Sequence, residues 1–512
     1  MGLRSSGIAT ESLAKAGAGD SRPESGAVLT QVAAFLSRYW GRVTSISLAL
    51  LIPCFWRRRI VASDLGSHLY NAWLAQLVGR NQVTDMHVAH QWTNVLFDYM
   101  LSAAGSFMSL HTTERIVVPI AVLIFFWGAF ALVCAAAKRA PWFLVPFLAL
   151  ATYGWTFHIG LFNYYLSLGL AFWGIAIFWR GVGRDKLFAL LFVPFIVMAS
   201  PLGLVWMFAA CAYVGVAELL PARWQWLLVL PACGVIYAAR HYLLHHFGVQ
   251  DSLGSIVTYN GADQVVLFGL RYRMLKTAVI VVTLGMLVVD VMRRFFGKHG
   301  AWALYLIPLQ LYLVIEFGVQ MLPSGVTIAN NLAAIAILTE RLTSVAAILA
   351  CCVLGAMIPS RWHFVITGAV ATVFFVWLYQ DTGIINRIEV QAEHLVRTVP
   401  RDSRIMATIF PLPDSRIMIQ HVIDRACIGY CFDYGNYEPG TGLFRVRGDE
   451  GGFYNLGDYE LAVNMEEGEY QVQPDDLPLY QVYQCTETGT VLCIAPLHAG
   501  EENDAMGVYG RD

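Results

Sequence analysis

The stretch RRRIVASDLGSHLYNAWLAQLVGRN, residues 57–81, joins two unlike patterns. Before it runs an apolar segment, Ala33–Phe55, long enough to cross a hydrocarbon core of roughly 30 Å. Within it, Leu65, Leu69, Trp73 and Leu77 recur at helical spacing, while Asp64, His68 and Asn71 share one edge of the same helix. The pattern predicts an amphipathic helix lying in the membrane interface, its stripe in lipid and its polar edge turned to the protein. Three arginines, Arg57, Arg58 and Arg59, stand between the span and this helix.

Working outward, the same alternation of apolar runs and polar turns fills most of the chain. Of 512 residues, 57% are hydrophobic and 14% charged, and mean hydropathy is +0.55, which marks a polytopic membrane protein rather than a soluble domain. Further runs lie near 116–136, 141–157, 161–179, 187–199, 202–220, 224–244, 277–292, 301–322, 342–358 and 362–380. With the first, they make about eleven predicted spans. An N-terminus inside places Lys138/Arg139, Arg180/Arg184/Lys186, Arg223, Arg293/Arg294/Lys298 and Arg361 in cytoplasmic turns, as the positive-inside bias requires. Residues 1–32, rich in Ser, Gly and Ala, then read as a disordered cytoplasmic leader, and the first span as an uncleaved signal anchor. The outer face receives residues 56–115, the turns near 158–163 and 200, residues 245–276 and 323–341, and everything after 380. Arg57–Arg59 and Arg271/Arg273 therefore oppose the bias.

The run Leu187–Ala199 contains Pro194 and is followed by Ser200 and Pro201. At about 20 Å of helix it is short for a span. Its outer end reads either as stopping at a wet cavity within the bilayer or as part of a tilted, closely packed hairpin.

After residue 380 the pattern changes. Residues 1–380 hold 25 basic and 14 acidic side chains, net +11, whereas residues 381–512 hold 9 and 22, net −13. The basic residues are scattered, so nucleic acid is not an expected partner; lipids or small solutes are. Residues 384–397 read as an amphipathic linker helix, and the remainder, to 512, as a small extracytoplasmic β or α+β domain with a frayed end. Six of the ten cysteines lie in apolar spans. Cys427, Cys431, Cys485 and Cys493 lie in the outer domain, where an oxidising compartment favours bridges. YQCTETGTVLCIAP reads as a hairpin turning at Thr488–Thr490 that sets Cys485 opposite Cys493; pairing across the two groups and a four-thiolate zinc site are the alternatives.

An acidic residue just after span one, a juxtamembrane helix, a first external loop of about 60 residues and a terminal outer domain together resemble the glycosyltransferase C superfamily, across the architecture of the whole chain. The resemblance implies a polytopic transferase of the bacterial inner membrane that takes a sugar from a polyprenyl-phosphate donor. The acceptor would be an extracytoplasmic glycan, lipid or protein. It also implies that Asp64 is the general base or a metal-assisted orienter of the acceptor, with His68 beside it. Such chemistry needs a carboxylate near the attacking hydroxyl and cations near the departing phosphate. Arg57, Arg58, Arg59, Arg271 and Arg273 are the candidates for the phosphate, with anionic headgroups as their other natural partner.

His158 and Asn163 at an outer turn, Glu316 and Gln320 near the end of the ninth span, and Glu340 with Arg341 at the head of the tenth are further pocket candidates. An internal salt bridge is the commoner fate of such pairs. His87 and His90 with Asp64 and His68 are candidate ligands for a divalent metal, an incomplete set. The chain has no DD or DxD pair in the first loop and no WWDYG-like motif; DYGNYEP at 433–439 is only superficially reminiscent. Nucleotide-loop, zinc-protease and serine-elbow motifs are missing as well. The tail segment HVIDRACIGYCFDYGNYEPGTGLFRVR is dense in Tyr, Asp and Arg, which suits either carbohydrate recognition or a stapled domain core. A transporter or flippase of a lipid-linked or polar solute, and a non-catalytic assembly or sensor protein, are the alternative functions.

Overall fold

A computed structural model describes residues 27–250, 258–297, 302–327, 333–419, 421–486 and 489–503. Most of the predicted leader, the frayed C-terminus and Thr488 lie outside them. The molecule is mainly helical. Eight helices are long and apolar enough to cross a membrane: Leu110–Ala137, Phe162–Arg180, Pro201–Leu219, Ala222–His246, Gly269–Phe296, Ala303–Met321, Leu338–Gly355 and Arg361–Val396.

The three other predicted spans are helical but differ in kind. The first is a 29-residue helix, Ala27–Phe55, starting before the expected leader boundary. Residues 141–157 break into Trp142–Leu144, Val145–Thr152 and Trp155–His158, with Pro146 in the first turn of the second piece and Gly154 ahead of the third. The short run begins four residues earlier than expected, in ten residues of 3-10 helix, Gly183–Phe192, followed by the seven-residue helix Val193–Ala199. A 3-10 helix rises about 2.0 Å per residue against 1.5 Å, so the combined segment reaches about 30 Å, not the 20 Å expected.

The last span and the predicted linker are one helix, Arg361–Val396, of 36 residues. At roughly 54 Å it overshoots a hydrocarbon core by several turns, so no break falls at residue 380. Its C-terminal half carries Asp381, Asn386, Glu389 and Glu393, which collect cationic and amide partners from elsewhere. At the opposite end of the bundle, Asp290 accepts from Arg294 Nε at 2.5 Å, the Tyr305 hydroxyl at 2.6 Å and the Ile358 N–H at 2.9 Å, tying three helix ends together.

The tail is α+β. Its sheet has the spatial order Phe432–Asp433, Arg404–Thr408, Leu479–Gln484, Leu492–Pro496, the first three strands parallel and the last antiparallel. Arg404 lies opposite Leu479 and Gln484 opposite Leu492. Disulfides join Cys427 to Cys431 and Cys485 to Cys493, so each pair closes within its own group. The tail does not stand apart from the bundle. Met86–Val88 of the first external loop pairs antiparallel with Val446–Gly448, Met86 opposite Gly448.

The amphipathic helix appears as Leu65–Gly79, but not in lipid. Both of its faces are covered: Leu65 and Leu74 are 0% exposed, and the polar edge is buried too, with His68 at 8% and Asn71 at 7%. The tail supplies the second cover. Trp73 lies 5.5 Å from the Phe432 ring, and the Tyr70 hydroxyl accepts from the Asp433 N–H at 2.8 Å. A helix amphipathic by sequence is thus sandwiched between bundle and tail, because its polar edge meets polar partners from the tail.

Candidate functional site

Asp64 occupies the N-cap position of Leu65–Gly79, yet its side chain makes no capping hydrogen bond. The backbone holds it in place. The Ser63 N–H donates to the His158 carbonyl at 2.8 Å and the Asp64 N–H to that of Ile159 at 3.2 Å. Gly160, at φ +89°, permits this approach: a Cβ there would lie 2.6 Å from the Asp64 nitrogen. The carboxylate turns instead to the tail, with Oδ1 3.6 Å from His421 Nε2. His421 Nδ1 in turn lies 2.9 Å from Asp424 Oδ2. Gly66 makes the contact possible, since a Cβ there would fall 2.2 Å from the His421 carbonyl oxygen.

The Asp64 side chain keeps 27% of its surface accessible, although burial raises its pKa against the opposing pull of His421, His68 and Arg341. Dense surroundings with residual access place the carboxylate in a crevice rather than on a convex surface. Around the crevice the first loop and the tail interlock through polar contacts. His68 Nδ1 is 2.7 Å from Asp98 Oδ1. The Asn163 amide donates to Asp98 Oδ2 at 2.9 Å, and its oxygen accepts from the Phe97 N–H at 2.8 Å. Ser67 donates to Glu438 Oε1 at 2.9 Å, and Asn436 donates to Asn71 at 3.1 Å.

Both imidazoles are cations at neutral pH. Burial opposes the charge on His68, but Asp98 outweighs it and lifts the pKa to about 9. For His421, Asp424 outweighs burial in the same way, to about 10. The pairing with Asp98 thus favours the protonated ring of His68. Burial pushes the carboxyls of Glu438 and Glu466 up to about 7.

The arginines expected to share this crevice are engaged elsewhere. Arg58 and Arg59 both pair with Glu393, the former at 3.1 Å, and Arg59 also reaches His111 Nδ1 at 2.8 Å. Arg57 lies over the Tyr379 ring, 3.7 Å from its centroid, and donates to the Tyr379 carbonyl. Arg271 bonds Asp381 at 2.5 Å and Gln380 at 3.0 Å; Arg273 is exposed, 4.0 Å from Asp414. The long last helix is the reason for three of them: its Glu393 and Asp381 neutralise Arg58, Arg59 and Arg271, while Arg57 rests on the Tyr379 carbonyl and ring and Arg273 faces Asp414 of the tail. Arg341, not these five, is the arginine coupled to Asp64. Its guanidinium lies 5.4 Å from the Tyr164 ring centroid, and its Nε is buried with no hydrogen-bond partner among the described residues.

The other candidates scatter. His158 is buried and its Nδ1 is spent on the Val61 carbonyl at 2.7 Å, so it shapes the Asp64 turn. His87 and His90 are exposed, the latter against Trp92, apart from Asp64 and His68. Among the described residues no three His, Cys, Asp or Glu side chains converge as a metal site, so the donor set does not fit the metal-assisted variant. Glu340 accepts from the Tyr259 hydroxyl at 3.3 Å and does not pair with its neighbour Arg341. Glu316, 3% exposed, and the Gln320 amide nitrogen lack hydrogen-bond partners among the described residues.

Below the Arg341 end of Leu338–Gly355 lies a cavity of about 340 Å³, walled mainly by apolar side chains such as Phe147, Leu150, Val279, Leu284, Ala347 and Leu354, with Asn260, Gln264, Thr283 and Tyr312 as its polar lining. Gln264 links this end to the crevice rim, donating to the Glu340 carbonyl at 3.2 Å and accepting from the Thr156 hydroxyl at 3.0 Å. Ala347 sits about 9 Å along the helix from Arg341.

His421, Asp424, Tyr437, Glu438 and Glu466 were not singled out by sequence reasoning. The only signal was the polar density of the segment starting at His421. No family model matches the chain, and neither does any curated protein or solved structure.

Proposed function

We propose that the protein is a polytopic membrane transferase that moves a sugar from a lipid-linked phosphate donor to a hydroxyl acceptor, with Asp64 as general base. One observation carries this reading: Asp64 is crowded yet 27% accessible, and Arg341, whose buried Nε has no partner among the described residues, is the arginine that draws its pKa down, with an apolar cavity further along the Arg341 helix. In the reaction Asp64 takes the proton of the acceptor hydroxyl. The acceptor oxygen forms a bond to the anomeric carbon as that carbon's bond to the phosphate oxygen breaks, inverting the centre. The electron pair leaves with the phosphate, which Arg341 receives. Arg57 and Arg271, which converge on the turn at Tyr379–Asp381, then fit membrane headgroups.

The two tail disulfides and the positive turns support an extracytoplasmic tail on a chain of about eleven spans, with bacterial inner membrane as the setting. The test is Asp64→Asn in membranes at matched expression, scored for transfer of a lipid-linked sugar. A loss of at least about 100-fold is expected; undiminished transfer removes Asp64 from the chemistry. A solute transporter is the second reading, favoured by the buried and unpaired Glu316. Solute flux in liposomes that survives Asp64→Asn and fails in Glu316→Gln would favour it.

A further inference from the structure

We propose that His421, presented by the tail and oriented by Asp424, is a positioning residue that holds Asp64 as the anion, so that the site is complete only while the tail is docked. The proposal rests on the reading of Asp64 as a base. Its geometry is a file of three groups: Asp424 Oδ2 to His421 Nδ1 at 2.9 Å, and His421 Nε2 to Asp64 Oδ1 at 3.6 Å. Asp424 is 0% exposed and His421 6%, so the imidazole is fixed by packing as well as by its hydrogen bond. Gly66 lets the His421 backbone seat directly on the first turn of the loop helix.

Charged or titratable groups surround Asp64 from several elements, and His158, on the turn that holds the Asp64 backbone, has its Nδ1 on the Val61 carbonyl. His68 comes from its own helix, Arg341 from the head of Leu338–Gly355, and Asp424 from the helix Val422–Cys427. Tyr437 and Glu466 come from further along the tail. Of the cations, His68 is engaged by Asp98 and Arg341 faces the phosphate position of the proposed reaction. His421 is the one whose free ring nitrogen is directed at the carboxylate. A buried carboxylate without a counter-cation takes up a proton rather than remain charged. A protonated Asp64 cannot accept one from the acceptor.

The test uses the full-length protein in membranes and two readouts. The first is the pH profile of sugar transfer; in His421→Gln its acidic limb should move up by at least one pH unit, while His421→Lys keeps it near the native position. The second needs no knowledge of the reaction: labelling of Asp64 by dicyclohexylcarbodiimide, which attacks protonated carboxyls, followed by peptide mass spectrometry across pH. Labelling that persists to pH values at least one unit higher in His421→Gln than in the native protein supports the proposal. His421→Asn, which also removes the cation, should shift both readouts the same way and serves as the second variant should His421→Gln not reach the membrane. Coincident labelling curves in native and variant proteins would overturn it, even with activity lost, because His421 would then be only structural. A shifted labelling curve in a protein that transfers no sugar would leave the coupling standing and remove the transferase reading.

Discussion

Asp64 stands where a carboxylate ordinarily accepts a hydrogen bond from the free N–H groups of a helix's first turn. Its side chain makes no such bond and points into the crevice, so its position serves the site rather than the helix. Arg341 follows the same logic. A buried guanidinium nitrogen with no partner loses hydrogen bonds it would have had in water, a cost of order 1–3 kcal/mol that an anionic ligand can recover. Arg341→Gln should therefore raise the KM for a phospholipid-linked donor by about 10- to 100-fold with a smaller change in kcat, whereas Arg273→Gln, at an exposed pair, should change neither. Steady-state kinetics over donor concentration check this. Asp64 could be recognised in the sequence because an acid next to a span is unusual at short range. His421 could not, because its proximity to Asp64 is created only by the fold. The arginines were legible as misplaced charge, but Glu393 sat inside the segment read as an amphipathic linker helix and Asp381 just before it, so the pairing that occupies Arg58, Arg59 and Arg271 was missed.

Two helices set where these residues meet. The loop helix Leu65–Gly79 was predicted from its spacing, and its placement was not, since an apolar stripe reads the same whether lipid or protein covers it. The glycine pattern reports the difference: Gly66 is the point of closest approach to the tail backbone. In Gly66→Ala the added methyl would collide with a carbonyl oxygen, not with a flexible side-chain end. The tail should loosen by roughly 1–3 kcal/mol, seen as faster proteolysis within residues 421–447 and a lower thermal midpoint. Gly79→Ala, where a Cβ meets nothing within 4 Å, is the control. The second helix, Arg361–Val396, hides its boundary because composition changes at residue 380 while backbone preference does not. Ile384, Ile388 and Ala392 simply continue the helix, now packed on protein instead of lipid. The segments at 141–157 and 187–199 were legible as apolar runs, and Pro194 and Pro201 as signs of a break in the second; the breaks in the first were not read. The 3-10 winding that restores the length of the second was not.

Across the whole molecule, ion pairs of both senses tie the tail and the long last helix to the rest of the bundle. The first 380 residues carry net +11 and the remainder −13, yet the cation at the tail's own contact comes from the tail. Arg425 reaches Glu389 at 2.9 Å and Glu114 at 3.8 Å, and Arg58 and Arg59 reach Glu393. The acids exceed their partners near the crevice, which sets the sign of the pH dependence. Glu438 is lifted from 4.5 to about 7 by burial. Between those values the folded protein binds a proton that the unfolded chain has released, so stability falls as pH rises from 4.5 through 7 and stays lower above. His68 and His421, at about 9 and about 10, have the same sign in a later window. Their stabilisation is full below 6.5 and is lost as pH rises through 9 and 10. Glu438→Gln keeps an oxygen for the Ser67 hydroxyl and removes the ionisation, which costs about 3 kcal/mol. Thermal midpoints of the solubilised protein should accordingly show the variant gaining on the native form from pH 4.5 to 7.5, then running parallel to it to pH 10. A constant difference over the whole range would mean that Glu438 is not the group that loosens the tail as acid is withdrawn.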